Sequence, residues 1–313
     1  MSSDPFSDVL ALVKAQSVIS GGLITGGAWA IRFDPPRKIK FFTIVRGTCA
    51  LALDGRRSAI QLAAGDVVLL TAPRGYTLGT DLARKPRSAT QLFANRDGQI
   101  LQHGTGDDFF LLGGHVSLDA ASRDLLLDAL PPLIHVPASA AEAAPLRWLL
   151  EQLVRERLDG RPGSLLATDQ LAQLMFVQIL RVHLASVAQG AASPALGIGW
   201  LRALGDDALA PAMRLMHSDP SRAWSLADLA KASAMSRSTF ALRFKSLAGV
   251  PPLAYLTAWR IRLASQSLRD TDTSVAALAR SLGYASESAF SAAFKRLTGT
   301  APAHYRSAAR AQA

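Results

Sequence analysis

Cysteine is nearly absent from this 313-residue chain, in which Cys49 stands alone. One thiol excludes an intrachain disulfide and a cysteine-based zinc site, and it fits a reducing compartment. Cys49 lies in an apolar stretch without a resolving partner, so it reads as a buried inert thiol rather than an oxidant sensor. No run approaches the roughly 18 to 20 apolar residues of a membrane span, and no membrane partner is expected. The opening MSSDPFSDVLALVK places acids where a signal peptide carries positive charge, which makes the cytoplasm the expected location. Histidine is sparse as well: His103, His115, His135, His183, His217 and His304 are scattered, with no His-x-His pair. Neither a metal site nor another cofactor is therefore expected, and His103 and His115 read as structural.

What is present is ordinary globular composition, 49% hydrophobic and 19% charged, in a chain longer than one core usually holds. The net charge of +10 is unevenly placed. From residue 200 onward 15 Lys and Arg stand against 7 Asp and Glu, whereas residues 1–199 carry 19 against 17. A basic end on a nearly neutral body is the electrostatic footprint of a polyanion partner. Charge alone also admits a basic surface that serves only solubility.

The same basic end contains a duplication. Phe240, Phe244, Lys245, Leu247, Gly249, Pro252 and Tyr255 return fifty residues later as Phe290, Phe294, Lys295, Leu297, Gly299, Pro302 and Tyr305. Each copy opens on a serine placed to cap a helix, Ser236 or Ser286, and closes on a glycine just past the last periodic residue, which predicts two short helices with defined ends. An apolar helix and a turn precede each one: Leu226, Leu229 and Ala230 before Ser233-Ala234-Met235, then Val275, Leu278 and Ala279 before Gly283-Tyr284. That is the order of a helix-turn-helix DNA reader. Phe240, Phe244 and Leu247, with Phe290, Phe294 and Leu297, form the expected inward stripes. Left outward as candidate DNA-binding residues are Arg237, Ser238, Thr239, Ala241, Leu242 and Lys245, then Glu287, Ser288, Ser291, Ala292, Lys295 and Arg296. The major groove, about 12 Å wide, admits one such helix start. Pro252 to Leu268 reads as a connecting helix that sets the step of about 34 Å to the next groove segment.

Residues 20 to 115 read instead as short β segments: Ala28 to Phe33, Lys40 to Arg46, Cys49 to Leu53, Val67 to Thr71 and Phe109 to Leu112. Leu53-Asp54-Gly55 carries a hairpin signal, and strands at this spacing suggest a small barrel or sandwich. From about residue 118 the period becomes helical and the strands are expected to end. Leu146, Leu149, Leu150, Leu153 and Leu158 precede the turn Gly160-Arg161-Pro162-Gly163, and Leu165 to Val187 resumes as a long helix through Leu171, Leu174, Met175, Ile179 and Leu180. This helical pair admits two readings, a dimer surface or burial against the strands. Gln189 to Gly199, rich in Ala, Gly, Ser and Pro, reads as a linker.

The run Met235-Ser236-Arg237-Ser238-Thr239-Phe240 with Phe244-Lys245, and then Gly283-Tyr284, Ser286, Phe290, Phe294-Lys295, Gly299, Pro302 and Tyr305-Arg306, resembles the paired helix-turn-helix domain of AraC/XylS transcription regulators over residues 205–308. Ala212 to His217 with Asp219-Pro220 and Trp224 is similar to members whose N-terminal half is a cupin, as are Phe41 to Gly47 and Leu62 to Leu70. The resemblance implies an α+β multidomain chain: a cupin-like jelly-roll β-barrel (1–120), a helical linker and dimerisation region (121–199), and an all-α DNA-binding domain with two helix-turn-helix motifs (200–313). It implies a sequence-specific transcription regulator, mostly of the activating kind, with double-stranded promoter DNA as partner. RNA polymerase, a second copy of the chain and a small-molecule effector are the further partners it brings. Many such relatives carry Arg two residues after the inward aromatic, where this chain has Leu242 and Ala292. A bidentate Arg to guanine is worth about 1 to 3 kcal/mol of discrimination, so guanine readout at those places is not expected. Trp29, Phe41, Arg46 and Tyr76 are the expected effector-pocket residues. The alternative, a metal-dependent cupin enzyme fused to a DNA-binding tail, needs ligands where the strand reads Phe41-Phe42-Thr43; no enzyme activity is expected.

Overall fold

The computed structural model describes residues 4–94, 99–188 and 199–311. In chain order the first elements are α1 (Pro5–Leu12), β1 (Gln16–Thr25), β2 (Ala30–Phe33), β3 (Ile39–Arg46), β4 (Thr48–Leu53), β5 (Ile60–Ala63), β6 (Val67–Leu70), β7 (Tyr76–Gly79), β8 (Arg87–Ser88), α2 (Ala89–Leu92), β9 (Ile100–His103), β10 (Phe109–Ser117), α3 (Asp124–Leu127) and β11 (Leu133–Val136). Helices follow: α4 (Ala144–Asp159), α5 (Ser164–Ala188), α6 (Trp200–Leu204), α7 (Ala210–Ser218), α8 (Leu226–Ala232), α9 (Arg237–Ala248), α10 (Pro252–Asp270), α11 (Val275–Ser281), α12 (Glu287–Thr298) and α13 (Pro302–Ala311). They gather into two compact units, one from Lys14–Ala120 and Leu130–Ala195, the other from Met1–Val13, Ala121–Ala129 and Leu196–Ala313. Among the described residues no helix is long and apolar enough to cross a membrane.

The first unit is a jelly-roll sandwich of two open sheets rather than a closed barrel. One sheet has the order β11-β6-β3-β10-β1-β9, the other β5-β4-β7-β2-β8. Side chains alternate along a strand, and this sorts β3. Phe42 and Ile44 enter the core between the sheets, with Ile31, Leu51, Tyr76 and Leu78 across from them. Phe41 takes the opposite face and is buried there. Helix α5 lies against β1 and β11 and packs with α4, and the Ser17 backbone N–H donates to Gln173 Oε1 at 3.0 Å.

β5, β7, β8 and β9 add to the five expected strand segments, and β1 and β11 reach beyond residues 20 to 115. β11 follows Pro131-Pro132 and pairs antiparallel with β6, so strands do not end at residue 118; four apolar residues after a proline pair carry too little periodicity to show a strand. β1 starts at Gln16 and runs through Gly21-Gly22, where the ladder with β10 shifts register. Gly21 has φ +141°, and a Cβ there would stand 2.6 Å from the Gln99 carbonyl oxygen. The glycine that hides this strand from a propensity reading is what lets a neighbouring backbone approach.

In the second unit, the Trp200 indole N–H donates to the Leu125 carbonyl at 2.7 Å, and the Ser122 hydroxyl to the Leu12 carbonyl at 3.2 Å. Helix α10 has 19 residues, about 28 Å at 1.5 Å per residue. Its Ile261, Ala264 and Leu268 meet Leu278, Phe290 and Phe294 in one apolar cluster. Leu297, expected inward, is 49% exposed. Gly299 stops α12 two residues later, and Ala293 closes the buried face instead. Leu247 is half-buried. The sequence-defined linker lies outside the described residues except Gly199, whose N–H donates to the Leu247 carbonyl at 2.9 Å.

Candidate nucleic-acid interface

Local chemistry fixes both reading helices at each end. Ser225 and Asp228 form a capping box on α8, Ser233–Met235 turns, and the Ser236 hydroxyl accepts the Thr239 N–H at 3.2 Å to start α9. In the second copy the Ser286 hydroxyl accepts the Ala289 N–H at 3.1 Å. Gly249 and Gly299 close the two helices in the same left-handed conformation, φ +80° each, donating to the carbonyls of Lys245 and Lys295. Each serine cap replaces a backbone partner that the first turn lacks, worth about 1 kcal/mol.

Aromatic pairs seat each helix. Phe240 and Phe244 are fully buried, with ring centroids 5.8 Å apart, and Phe244 meets Tyr255 edge-on at 5.8 Å. Phe290 and Phe294 repeat this at 5.7 Å, with Tyr305 at 5.4 Å. Arg237, Ser238, Thr239, Leu242 and Lys245 are exposed and Ala241 half-buried; on α12 Glu287, Ser288, Ala292, Lys295 and Arg296 are exposed and Ser291 half-buried. Leu242 is 74% exposed, a cost with no structural return inside the chain.

Three of the outward hydroxyls are already engaged in part. Ser238 Oγ and Thr239 Oγ1 lie 3.1 and 2.9 Å from Ser236 Oγ, and Ser288 Oγ lies 3.0 Å from Ser286 Oγ. A hydroxyl offers one donor and two acceptor sites, so each keeps capacity for a further partner. The basic residues divide more sharply. Arg243 forks onto Asp206 at 2.5 to 3.1 Å, Arg260 donates to the Pro220 and Arg222 carbonyls, and Arg306 and Arg310 hold Thr273 and Asp272. Sequence counting could not separate these structural arginines from the outward Arg237, Lys245, Lys295 and Arg296.

Comparison with known proteins agrees with this geometry. Residues 4–185 match the Cupin family and residues 229–308 a helix-turn-helix domain. A protein of Streptomyces lividans named as an AraC-like transcription regulator is 45% identical over 303 residues, 97% of this chain and 98% of that protein. The chain belongs to the AraC family of transcription regulators. The HTH-type transcriptional regulator AlkR of Acinetobacter baylyi is 30% identical over 90% of the chain and 92% of its own length. The DNA-binding domain of AdpA, solved in complex with a target DNA, is 35% identical and covers 34% of the chain, with a TM-score of 0.33.

The cupin half holds a cavity of about 320 Å³ between the sheets, walled by Phe33, Phe42, Leu78, Phe93 and Leu111. Of the four expected pocket residues, Tyr76 lines it. Trp29 packs in the core 4.9 Å from Phe109, Phe41 is on the outer face of its sheet, and Arg46 is exposed and paired with Asp107 at 2.9 Å. Lys40 and Asp34 line the cavity and escaped the sequence reading. The signal was there in the alternation that puts Lys40 on the face of Phe42 and Ile44, but Phe41 and Phe42, large apolar residues on opposite faces, conceal which face is inward.

The isolated thiol is accounted for by packing. Cys49 is buried, and burial together with the Asp66 charge pushes its thiol up to about 12, far from a reactive thiolate. His115 sits 2.8 Å from Ser20 Oγ and 3.1 Å from Lys38 Nζ. Among the described residues no three His, Cys, Asp or Glu side chains converge.

Proposed function

We propose that α9 and α12 enter consecutive major-groove segments of one promoter site, with Lys245 and Lys295 on phosphates and Ser238, Ser288, Leu242 and Ala292 toward base edges. The observation that carries this reading is the identity of the two helix starts: serine-capped, aromatic-anchored, and exposed over the same positions. Leucine and alanine there suit the thymine methyl, where an arginine would read guanine. Lys245→Ala is expected to weaken binding on every sequence and to flatten the log K against log salt slope by about 1, whereas Ser238→Ala changes sequence preference with little effect on the slope. Titrations at several salt concentrations in which the two variants behave alike would remove this division of labour. Footprinting on the promoter beside its own gene tests the reading as a whole, since two protected major-groove faces one turn apart are required.

The chain acts without catalysis, in the cytoplasm, as an activator in contact with RNA polymerase, and its effector occupies the cavity between the sheets. Chain connectivity supports a route from effector to DNA. Ser20 to Leu23 of β1 and Leu111 and Gly113 of β10 line the cavity, and the segments continuous with those strands, Met1–Val13 and Ala121–Ala129, are built into the DNA-binding unit. A ligand that prefers one setting of these two strands shifts the population of the segments they lead into.

The regulator works as a homodimer through α4 and α5. Trp148 is 57% exposed, with Leu158, Leu165, Leu166 and Leu174 exposed on the same helical pair. The turn at Gly160–Gly163 reverses the chain, which brings Trp148 level with Leu174. Apolar side chains left in water at this density mark a contact surface. Trp148→Asp with Leu174→Asp should give a monomer by size exclusion with light scattering, and an undiminished dimer would exclude this face.

A further inference from the structure

Lys40 is an unusual residue to find on the inward face of a jelly-roll strand. It shares that face with Phe42, and its side chain lines the apolar cavity between the sheets. Among the described residues no carboxylate lies within ion-pair distance of it and no acceptor takes its hydrogens; desolvation lowers its pKa from the ordinary lysine value. Taking an unpartnered ammonium out of water is costly, so desolvation shifts the balance toward the neutral amine. Two proton-handling groups line the same cavity. Tyr76 is held between Phe33 and Phe42 at 4.7 and 5.9 Å, its hydroxyl has no hydrogen-bond partner among the described residues, and burial raises its pKa, so it stays a phenol. Asp34 is oriented by the Thr90 hydroxyl, which donates at 2.8 Å.

We propose that this cavity takes a small apolar aldehyde or ketone and holds it covalently as an imine on Lys40. The inference rests on the reading of the cavity as the effector site and adds the class of effector. In the step, the Lys40 Nζ electron pair adds to the carbonyl carbon and the carbonyl oxygen gains a proton, for which Tyr76 is the donor in the cavity. The nitrogen then loses a proton, relayed through water to Asp34, the carboxylate that lines the cavity. Asp34 returns that proton to the hydroxyl, which leaves as water as the C=N bond forms, and the last N–H proton restores the Tyr76 phenol. Aldehyde and amine become imine and water, with no oxidation or reduction. The addition requires a neutral amine, and desolvation of Lys40 raises that fraction. His115 stands directly across from Lys40 in the β3–β10 ladder and bonds Lys38 at 3.1 Å, so its ring nitrogen is taken by Lys38.

The test treats the intact protein with hexanal and sodium cyanoborohydride, which reduces an imine to a stable hexyl-lysine, followed by peptide mass spectrometry. Lys40 should be modified at hexanal concentrations roughly tenfold or more below those needed for the exposed Lys14, Lys38, Lys85 and Lys231, since the apolar cavity concentrates the aldehyde's chain beside an amine whose lowered pKa enlarges its neutral fraction. Lys40→Met, which keeps an unbranched side chain and removes the amine, should lose the selective adduct while remaining folded by circular dichroism. Modification spread evenly over the surface lysines overturns the proposal. Parallel thermal shifts with 1-hexanol and hexanoate separate it from the reading beneath it. If these raise the melting temperature and hexanal gives no Lys40 adduct, the cavity is a ligand site of another class and the imine is wrong. If neither probe shifts melting and no adduct forms, the effector site falls as well.

Discussion

Gly283→Ala should destabilise the second helix-turn-helix by about 2 to 4 kcal/mol, whereas Ala234→Gly, at the equivalent turn of the first, should stabilise by up to about 1 kcal/mol. The two turns are built alike. Ala234 and Gly283 donate to the carbonyls of Lys231 and Arg280, and the next residues, Met235 and Tyr284, donate to Ala230 and Ala279. Both turn residues have positive φ, +51° at Ala234 and +78° at Gly283. In the first copy an alanine tolerates the strain because there is room for its methyl. In the second, a Cβ would collide with the backbone carbonyl of Ser221. That carbonyl cannot retreat easily, since the Arg260 guanidinium grips the carbonyls on either side of it, Pro220 and Arg222. Denaturation of the two variants against the parent decides the matter. A neutral Gly283→Ala would mean that the Ser221 segment yields, and that the tight approach has no energetic weight. On a promoter fragment the same variant should lose the footprint of one reading helix and keep the other.

This asymmetry also shows how far the sequence could be read. The duplicated spacing announced both helices, their serine caps and their glycine ends, because caps and turns are local chemistry written in single residues. The extended stretches before residue 115 announced a strand-rich half for the same reason. What could not be read was anything set by a distant partner. The strand at Gln16 was hidden by Gly21, whose need comes from the Gln99 backbone. Leu297 fits the inward stripe by spacing but stands 49% exposed near the helix end. Arg243 looks like an outward cation of a reading helix until Asp206, far earlier in the chain, takes its guanidinium. The expected pocket residues fared as their kind of evidence would suggest: an aromatic residue in a barrel strand can face either way, and only the register put Tyr76 on the cavity and Phe41 behind it. Lys40 was passed over because a lysine in a strand ordinarily faces water.

Lowering the pH from 6.5 towards 4 should weaken the DNA-binding unit by up to about 3 kcal/mol through His217 alone. The side chain is fully buried, stacked 4.2 Å from Trp259. Its Nε2 lies 2.8 Å from the Tyr255 hydroxyl and its Nδ1 3.2 Å from an Asp8 carboxylate oxygen on α1. A neutral imidazole satisfies both: the phenol donates to Nε2 and Nδ1–H donates to Asp8. Burial pushes its pKa down to about 4, against the opposing pull of Asp8 and Asp4. The sign follows directly. Between pH 4 and 6.5 the unfolded chain binds a proton at this site that the folded chain refuses, so stability rises with pH across that window. The contribution is complete above 6.5, and below about 4 it is gone. His217→Gln keeps a donor and an acceptor of similar reach but cannot titrate. The difference in unfolding free energy between parent and variant, measured by urea denaturation at pH 7 and pH 4.5, should therefore shrink or reverse on acidification, while carboxylates common to both proteins cancel. A difference that stays constant across the two pH values would show that His217 charges as readily in the folded chain as in the unfolded one. The bond it makes to Asp8 would then be an ion pair rather than a neutral clasp holding the first helix to the DNA-binding unit.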